Sequence, residues 1–218
     1  GNVRDLLDVP GVGNIEVSMV DAANSCVFVR ARDLGLTGIE LPDALEVNHD
    51  VMAKLAAIRN AACVAMGIAR DVTEAAGKLS NPAIGFVSPP VDAKLLSGEP
   101  ISADGVDLTA RMLARGQVHR ALPLTRSLCM AVAARIEGTV VHEAARPASD
   151  PDAEIRIGMP KINGQAVKVE KLDVNFPRRS KDPASPALMT AELDNQEVVC
   201  KLKNEIMTRE KWAYPLIK

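Results

Sequence analysis

The sequence predicts an α/β (α+β) domain whose sheet wraps a central, buried helix, and three observations carry that expectation. The stretch Leu128–Ile136 inside HRALPLTRSLCMAVAARIEGTVV is apolar on nearly every face, and a helix of that kind is covered on all sides. Short β-branched runs bounded by Gly, Pro and small polar residues recur before and after it, the pattern of strands. Aromatic residues make up only 2% of the chain, so the core must be Ala, Val, Leu, Ile and Met.

Taken in order, Ile15–Asp21 and Cys26–Arg30 read as strands around the turn DAANSC. DLGLTGIELPDAL is a Gly- and Pro-punctuated connection. Asp50–Arg70 reads as a helix capped by Asp50, with Val51, Leu55, Ile58, Ala62, Ala65 and Ile68 as its apolar stripe and Cys63 beside it. Ala83–Ser88 is a short strand ended by Pro89 and Pro90. Over residues 106–115 apolar and polar residues largely alternate, which predicts another strand. Thr125 is the expected N-cap of the buried helix. Strands are expected at Val140–Ala144, Glu154–Gly158 and Ala166–Asp173. Beyond Val174 the character changes. Residues 1–174 are expected to form one domain, 175–189 a Pro- and charge-rich linker, and 190–218 a divergent tail with a helix from Thr190 to Lys211.

Composition removes several function classes. The chain has 218 residues and a formal charge of -2, which is no nucleic-acid footprint and no polybasic membrane patch. No apolar run approaches the roughly 20 residues that span a bilayer, and no signal-peptide pattern is visible. Cys26, Cys63, Cys129 and Cys200 are scattered, which predicts a reduced, cytoplasmic protein. His49, His119 and His142 show no metal-ligand spacing.

Three constellations could carry chemistry. Asn24, Ser25 and Cys26 sit in the first turn; they either shape it or face a ligand. HRALPLTRS joins His119 and Arg120 to the start of a buried helix at Thr125, Arg126 and Ser127. Free N–H groups and the positive dipole end make such a start a carboxylate site, unless the arginines are solvated or paired and Thr125 only caps. Cys129, one turn into the helix, is a candidate catalytic thiol or a packed core residue.

The stretches GNVRDLLDVPGVGNIEVSMVDAANSCVFVRARDLGLTGIELPDAL, GFVSPP and DLTARMLARGQVHRALPLTRSLCMAVAARIEGTVV resemble, in that order, the C-terminal half of the methylaconitate cis-trans isomerase (PrpF) family. That family includes 4-oxalomesaconate tautomerases and belongs to the diaminopimelate-epimerase-like superfamily. The resemblance implies two similar domains, each a mostly antiparallel sheet curled round a central helix, with the active site in the cleft between them. It turns the DAANSC turn and the PLTRS helix start toward that cleft, with Asn24 the best ligand contact.

The implied activity is a proton shift across an allylic system in an unsaturated tricarboxylic acid, with no metal or organic cofactor. The acid/base Lys and Cys belong to the family's N-terminal domain, and nothing in this chain matches them. Expected partners are the tricarboxylate, that N-terminal domain and a second copy of the chain. The competing reading is a non-catalytic remnant that binds a carboxylate metabolite or a protein. Ser25 stands where the family commonly has Pro, Arg126 stands where it commonly has Gly, and the tail after Val174 departs from the family's ending.

Overall fold

The computed structural model describes residues 2–148 and 155–160, together with strands at Val167–Glu170, Leu188–Asp194 and Glu197–Lys203. Strands β1 (Asp5–Val9), β2 (Gly13–Ala22) and β3 (Asn24–Arg30) form an antiparallel meander. β4 (Ala83–Ser88) lies parallel to β3. A two-stranded pair, β5 (Ala93–Lys94) and β6 (Pro100–Ile101), stands apart from the main sheet. β7 (Leu108–Ala114) runs antiparallel to β4 and turns back into β8 (Gln117–Val118). The sheet continues through β9 (Ile155–Gly158), parallel to β7, and β10 (Val167–Glu170), antiparallel to β9. It ends with β11 (Leu188–Asp194) and β12 (Glu197–Lys203), in the order β10-β12-β11.

Five α-helices are described: α1 (Pro42–Glu46), α2 (His49–Ala65), α3 (Val72–Gly77), α4 (Leu124–Arg135) and α5 (Val140–Ala144). Strand alternation divides the core between the two faces of the sheet. Ala83 and Val87 of β4 join Phe28, Leu108, Ala110 and Met112 under α4 and α5. Ile84 and Phe86 join Val27, Val29 and Leu113 under α2. Helix α4 is buried from Ser127 to Ala134 and approaches β2, β3, β10 and β12, strands from both halves of the sheet. A sheet curled round a central helix is therefore what the chain adopts.

Both faces of β7 are covered, so Thr109 and Arg111 are buried along with their apolar neighbours. Arg111 is only 1% exposed. Its Nε donates to the Glu40 carbonyl at 2.7 Å and its Nη1 to the Ala110 carbonyl at 2.8 Å. Burial pushes its pKa down to about 10.

Several expectations need correction. Asn48, not Asp50, caps α2: its Oδ1 accepts from the Val51 N–H at 3.2 Å. That helix ends at Ala65, so its buried stripe is Val51, Leu55, Ile58 and Ala62, with Cys63 fully buried beside it. Val140–Ala144 is a helix, not a strand. Thr139 Oγ1 accepts from the His142 N–H at 2.9 Å, and this cap overrides the β-branched pair Val140–Val141. The helix expected from Thr190 is replaced by β11 and β12, whose cross-strand pairing from Leu188↔Lys203 to Asp194↔Glu197 outweighs a helical spacing of Leu193, Val199 and Leu202. Most of the expected 175–189 linker and the end of the tail lie outside the described residues.

Candidate active site

The first turn is tighter than a loop. Ala22 pairs with Asn24 and Asp21 with Ser25, leaving Ala23 alone at the bend with φ of 61°. Asn24 is thus the first residue of β3, held at the strand's edge rather than on a flexible tip. Across from it, α4 begins two residues earlier than it would with Thr125 as its cap. Pro123, with extended backbone at φ -63° and ψ 138°, is the N-cap and makes no side-chain cap bond. Thr125 is therefore the second residue of the helix, and its hydroxyl is free for another partner. Asn24 Nδ2 donates to Thr125 Oγ1 at 2.6 Å, tying the hairpin to the start of the helix.

Beside this junction lies a group of basic side chains. Arg126 is half-buried, and its Nη2 donates weakly to the Ser80 carbonyl at 3.4 Å. Its Nη1 is buried without a hydrogen-bond partner. Arg115 sits at the β7–β8 turn with φ of 52°, and its Nη2 donates to Ser80 Oγ at 3.3 Å. His119 is also half-buried; its backbone N–H donates to the Met112 carbonyl at 2.9 Å, and its Nε2 has no partner. Burial, then the Arg126 charge, pushes the His119 imidazole below its ordinary range. Burial, and to a lesser degree Arg115, lowers the Arg126 pKa as well. Among the described residues no acidic side chain forms a salt bridge with Arg115, His119 or Arg126.

The other sequence candidates go elsewhere. Arg120 is paired, at 2.5 Å from Asp43 and 3.3 Å from Glu46, so α1 already supplies its carboxylates. Ser25 is 4% exposed. Ser127 is fully buried and its hydroxyl donates back to the Pro123 carbonyl at 3.1 Å. Cys129 is fully buried too, and its thiol donates to the Val20 carbonyl at 3.4 Å. Burial, reinforced by the Cys26 thiol beside it, pushes Cys129 well above the ordinary thiol range, so it is a protonated core residue. Arg115 and Ser80 were not legible as site residues; the only local signal was the Arg115–Gly116 pair, which marks a turn.

The opposite end of the parallel pair β3–β4 is different in character. Arg30 closes β3 roughly 20 Å from Asn24, at about 3.3 Å per residue. A cavity of about 160 Å³ opens there, lined among others by Arg30, Ser88, Val140 and Glu143. Its charges are matched: Arg30 Nη2 lies 2.6 Å from both Glu16 and Glu143, and its Nη1 lies 3.2 Å from Asp33. At the Asn24 end, by contrast, Arg115 and Arg126 have no acidic partner among the described residues.

Among the described residues no cluster of three His, Cys, Asp or Glu side chains could hold a metal ion. Among them, too, no helix is long and apolar enough to cross a membrane.

The family model for the PrpF protein matches residues 1–173. The chain belongs to the PrpF family. Its curated relatives include a 3-methylitaconate isomerase of Eubacterium barkeri, 41% identical over 162 residues, which are 73% of this chain and 42% of that protein. A 2-methyl-aconitate isomerase of Shewanella oneidensis is 36% identical over 172 residues, 77% of this chain and 43% of that protein. A (4E)-oxalomesaconate Delta-isomerase of a Novosphingobium species is 30% identical over 145 residues, 66% of this chain and 34% of that protein. The crystal structure of a methylitaconate-delta-isomerase superposes with a TM-score of 0.74 at 32% identity, over 100% of this chain and 52% of that one. The chain thus spans about half the length of the PrpF-family proteins it matches. The sheet curled round α4 is thus the PrpF-family chain's fold.

Proposed function

We propose that this chain is one lobe of a PrpF-family isomerase that moves a proton across the allylic system of an unsaturated polycarboxylate. Its domain is residues 1–174, its setting is the cytoplasm, and a second lobe closes the cleft. The relatives are named for methylitaconate, methylaconitate and oxalomesaconate, unsaturated acids with two or three carboxylates. The observation that carries the reading is the Asn24–Thr125 junction at the start of α4, set beside unpaired cations.

Allylic isomerisation removes a proton from one carbon and returns one two carbons away. The intermediate carries negative charge spread into an adjacent carboxylate, so donors aimed at that carboxylate lower the barrier. Asn24 and the N-terminal amides of α4 are such donors. The acid/base pair belongs to the other lobe, so this chain alone should turn over no substrate: a positioned acid or base typically contributes ~10²–10⁴-fold.

A chimera tests this. Residues 1–173 replace the matching region of the Eubacterium barkeri 3-methylitaconate isomerase, and methylitaconate isomerisation is followed. Activity is expected, and Asn24→Ala in the chimera should lower kcat/KM by roughly 10- to 100-fold, as loss of a donor to developing charge does. A folded, inactive chimera would favour a binding lobe without catalysis.

A further inference from the structure

The relatives' names leave open how many carboxylates the substrate carries, and the unpaired cations bear on that. Arg115 from the β7–β8 turn and Arg126 from α4 meet at Ser80, and His119, from the segment after β8, lies close enough to Arg126 to feel its charge. Arg115 and Arg126 each use Ser80 as a hydrogen-bond acceptor, at 3.3 and 3.4 Å. They are close enough that the Arg115 charge lowers the Arg126 pKa. Two like charges held together repel unless an anion sits with them. Elsewhere in the described structure Arg4, Arg30, Arg32, Arg70 and Arg120 have carboxylate partners, and the buried Arg59 and Arg111 donate to backbone carbonyls at 2.7–3.1 Å.

The second observation is hydrogen-bond deficit. Arg126 Nη1 and His119 Nε2 are shielded from water and have no partner. A buried unsatisfied polar atom is costly, and such atoms in a folded protein call for a ligand, ion or water. A carboxylate oxygen would give Arg126 an acceptor. It would also favour a proton on His119, making Nε2 a donor. The other titratable groups around Arg126 are Cys26 and Cys129, buried thiols that bring no compensating charge. Asp43 and Glu46, the acids nearest in the fold to the residue after His119, are taken by Arg120.

We propose that Arg115, His119 and Arg126 form a carboxylate subsite distinct from the Asn24–Thr125 junction, and that it selects an acid with three carboxylates over one with two. This rests on the isomerase-lobe reading for its substrate class. Arg126 makes the difference: it adds a full charge at the start of α4, where backbone amides alone would offer partial charges. The subsite also takes up a proton. Anion binding raises the His119 midpoint, so affinity strengthens as pH falls toward and below the free histidine's ordinary value of 6.5.

The test is calorimetric titration of the 218-residue chain with aconitate, which has three carboxylates, and with itaconate, which has two. Arg126→Gln should weaken aconitate about tenfold, the low end for a charge-assisted hydrogen bond, and change itaconate less than twofold. Arg126→Lys should recover part of the loss, and matching thermal unfolding of the variants excludes misfolding. In parallel, the His119 ring signals, assigned with His119→Gln, should titrate at higher pH with aconitate than without it, and this shift should vanish in Arg126→Gln. Equal weakening of both acids, or no weakening of either, overturns the subsite while leaving the isomerase-lobe reading in place. If the wild-type chain binds neither acid, the subsite falls, and the chimera then decides separately on the lobe.

Discussion

Phe28→Ala is expected to lower the unfolding free energy by about 3–5 kcal/mol, the range for truncating a buried aromatic core residue. Phe28 is fully buried in β3, on the sheet face covered by α4. The space around it is already tight. A Cβ built on Gly85 would lie 2.3 Å from Met112 Sδ and 3.3 Å from Phe28 Cδ1, so glycine at that point of β4 is what lets Phe28 and Met112 lie side by side. The chain has only three phenylalanines, and its core is otherwise small aliphatics, which leaves few side chains able to collapse into the void. Against a typical total of about 5–15 kcal/mol, the loss would leave the variant marginal. Urea unfolding followed by circular dichroism measures it through the shift in midpoint. A loss under about 1 kcal/mol would mean that α4 does not pack on this face.

Arg30→Ala is the second large effect, about 2–3 kcal/mol. Arg30 is only 8% exposed and holds Glu16, Asp33 and Glu143 together at the far end of β3. Removing the cation leaves these three carboxylates only the more exposed Arg4 and Arg32 as partners, whereas breaking a fully buried pair costs roughly 3–5 kcal/mol. The estimate sits lower because the Glu16 and Glu143 side chains are 39% and 34% exposed and partly screened by water.

The same cluster sets an acid limit. The hydrogen bond to Arg30 holds both Glu16 and Glu143 below the ordinary carboxylate value of 4.5. Groups with depressed folded pKa values stabilise the fold above the unfolded value and lose that contribution as pH falls through the folded one. Wild type should therefore lose stability below about pH 4.5, and Arg30→Ala should show a shallower loss across that window, read from unfolding midpoints at pH 6, 4.5 and 3.5. Equal slopes would mean that Arg30 does not set these carboxylates.

Much of this fold was legible in the sequence where one local signal dominated. Helix α4 stood out because every face of Leu128–Ala134 is apolar, and β2, β3, β4 and β7 because β-branched or alternating runs end at Gly, Pro or polar turns. The failures share a cause. Val140–Val141 has strand propensity, yet Thr139 starts a helix there because the chain must turn back onto β3 and β4 after α4. Leu193, Val199 and Leu202 fit a helix as well as a strand pair, and only the pairing of β11 with β12, and of β12 with β10, distinguishes them. β1 left no mark, since DLLDV alternates too briefly to be seen without its partner β2.

The candidate site divides the same way. Asn24, Thr125 and Arg126 belong to local features, a turn and a helix start, that a sequence displays. Arg115 and Ser80 join them only because the β7–β8 turn and the loop before β4 meet in space, 35 residues apart. Arg120 looked equivalent to Arg126 in the string HRALPLTRS, and only the fold gives it to Asp43 and Glu46.

On the isomerase-lobe reading, ligand binds where β3 and α4 begin, not at the cavity where β3 and β4 end. Amide chemical shifts of the isotopically labelled chain during titration with aconitate test it directly. The Asn24 side-chain amide and the Thr125 and Arg126 backbone amides are expected to move, with Ser88, Val140 and Glu143 unmoved. Shifts confined to Ser88, Val140 and Glu143, or none at Asn24 and Thr125, would contradict it.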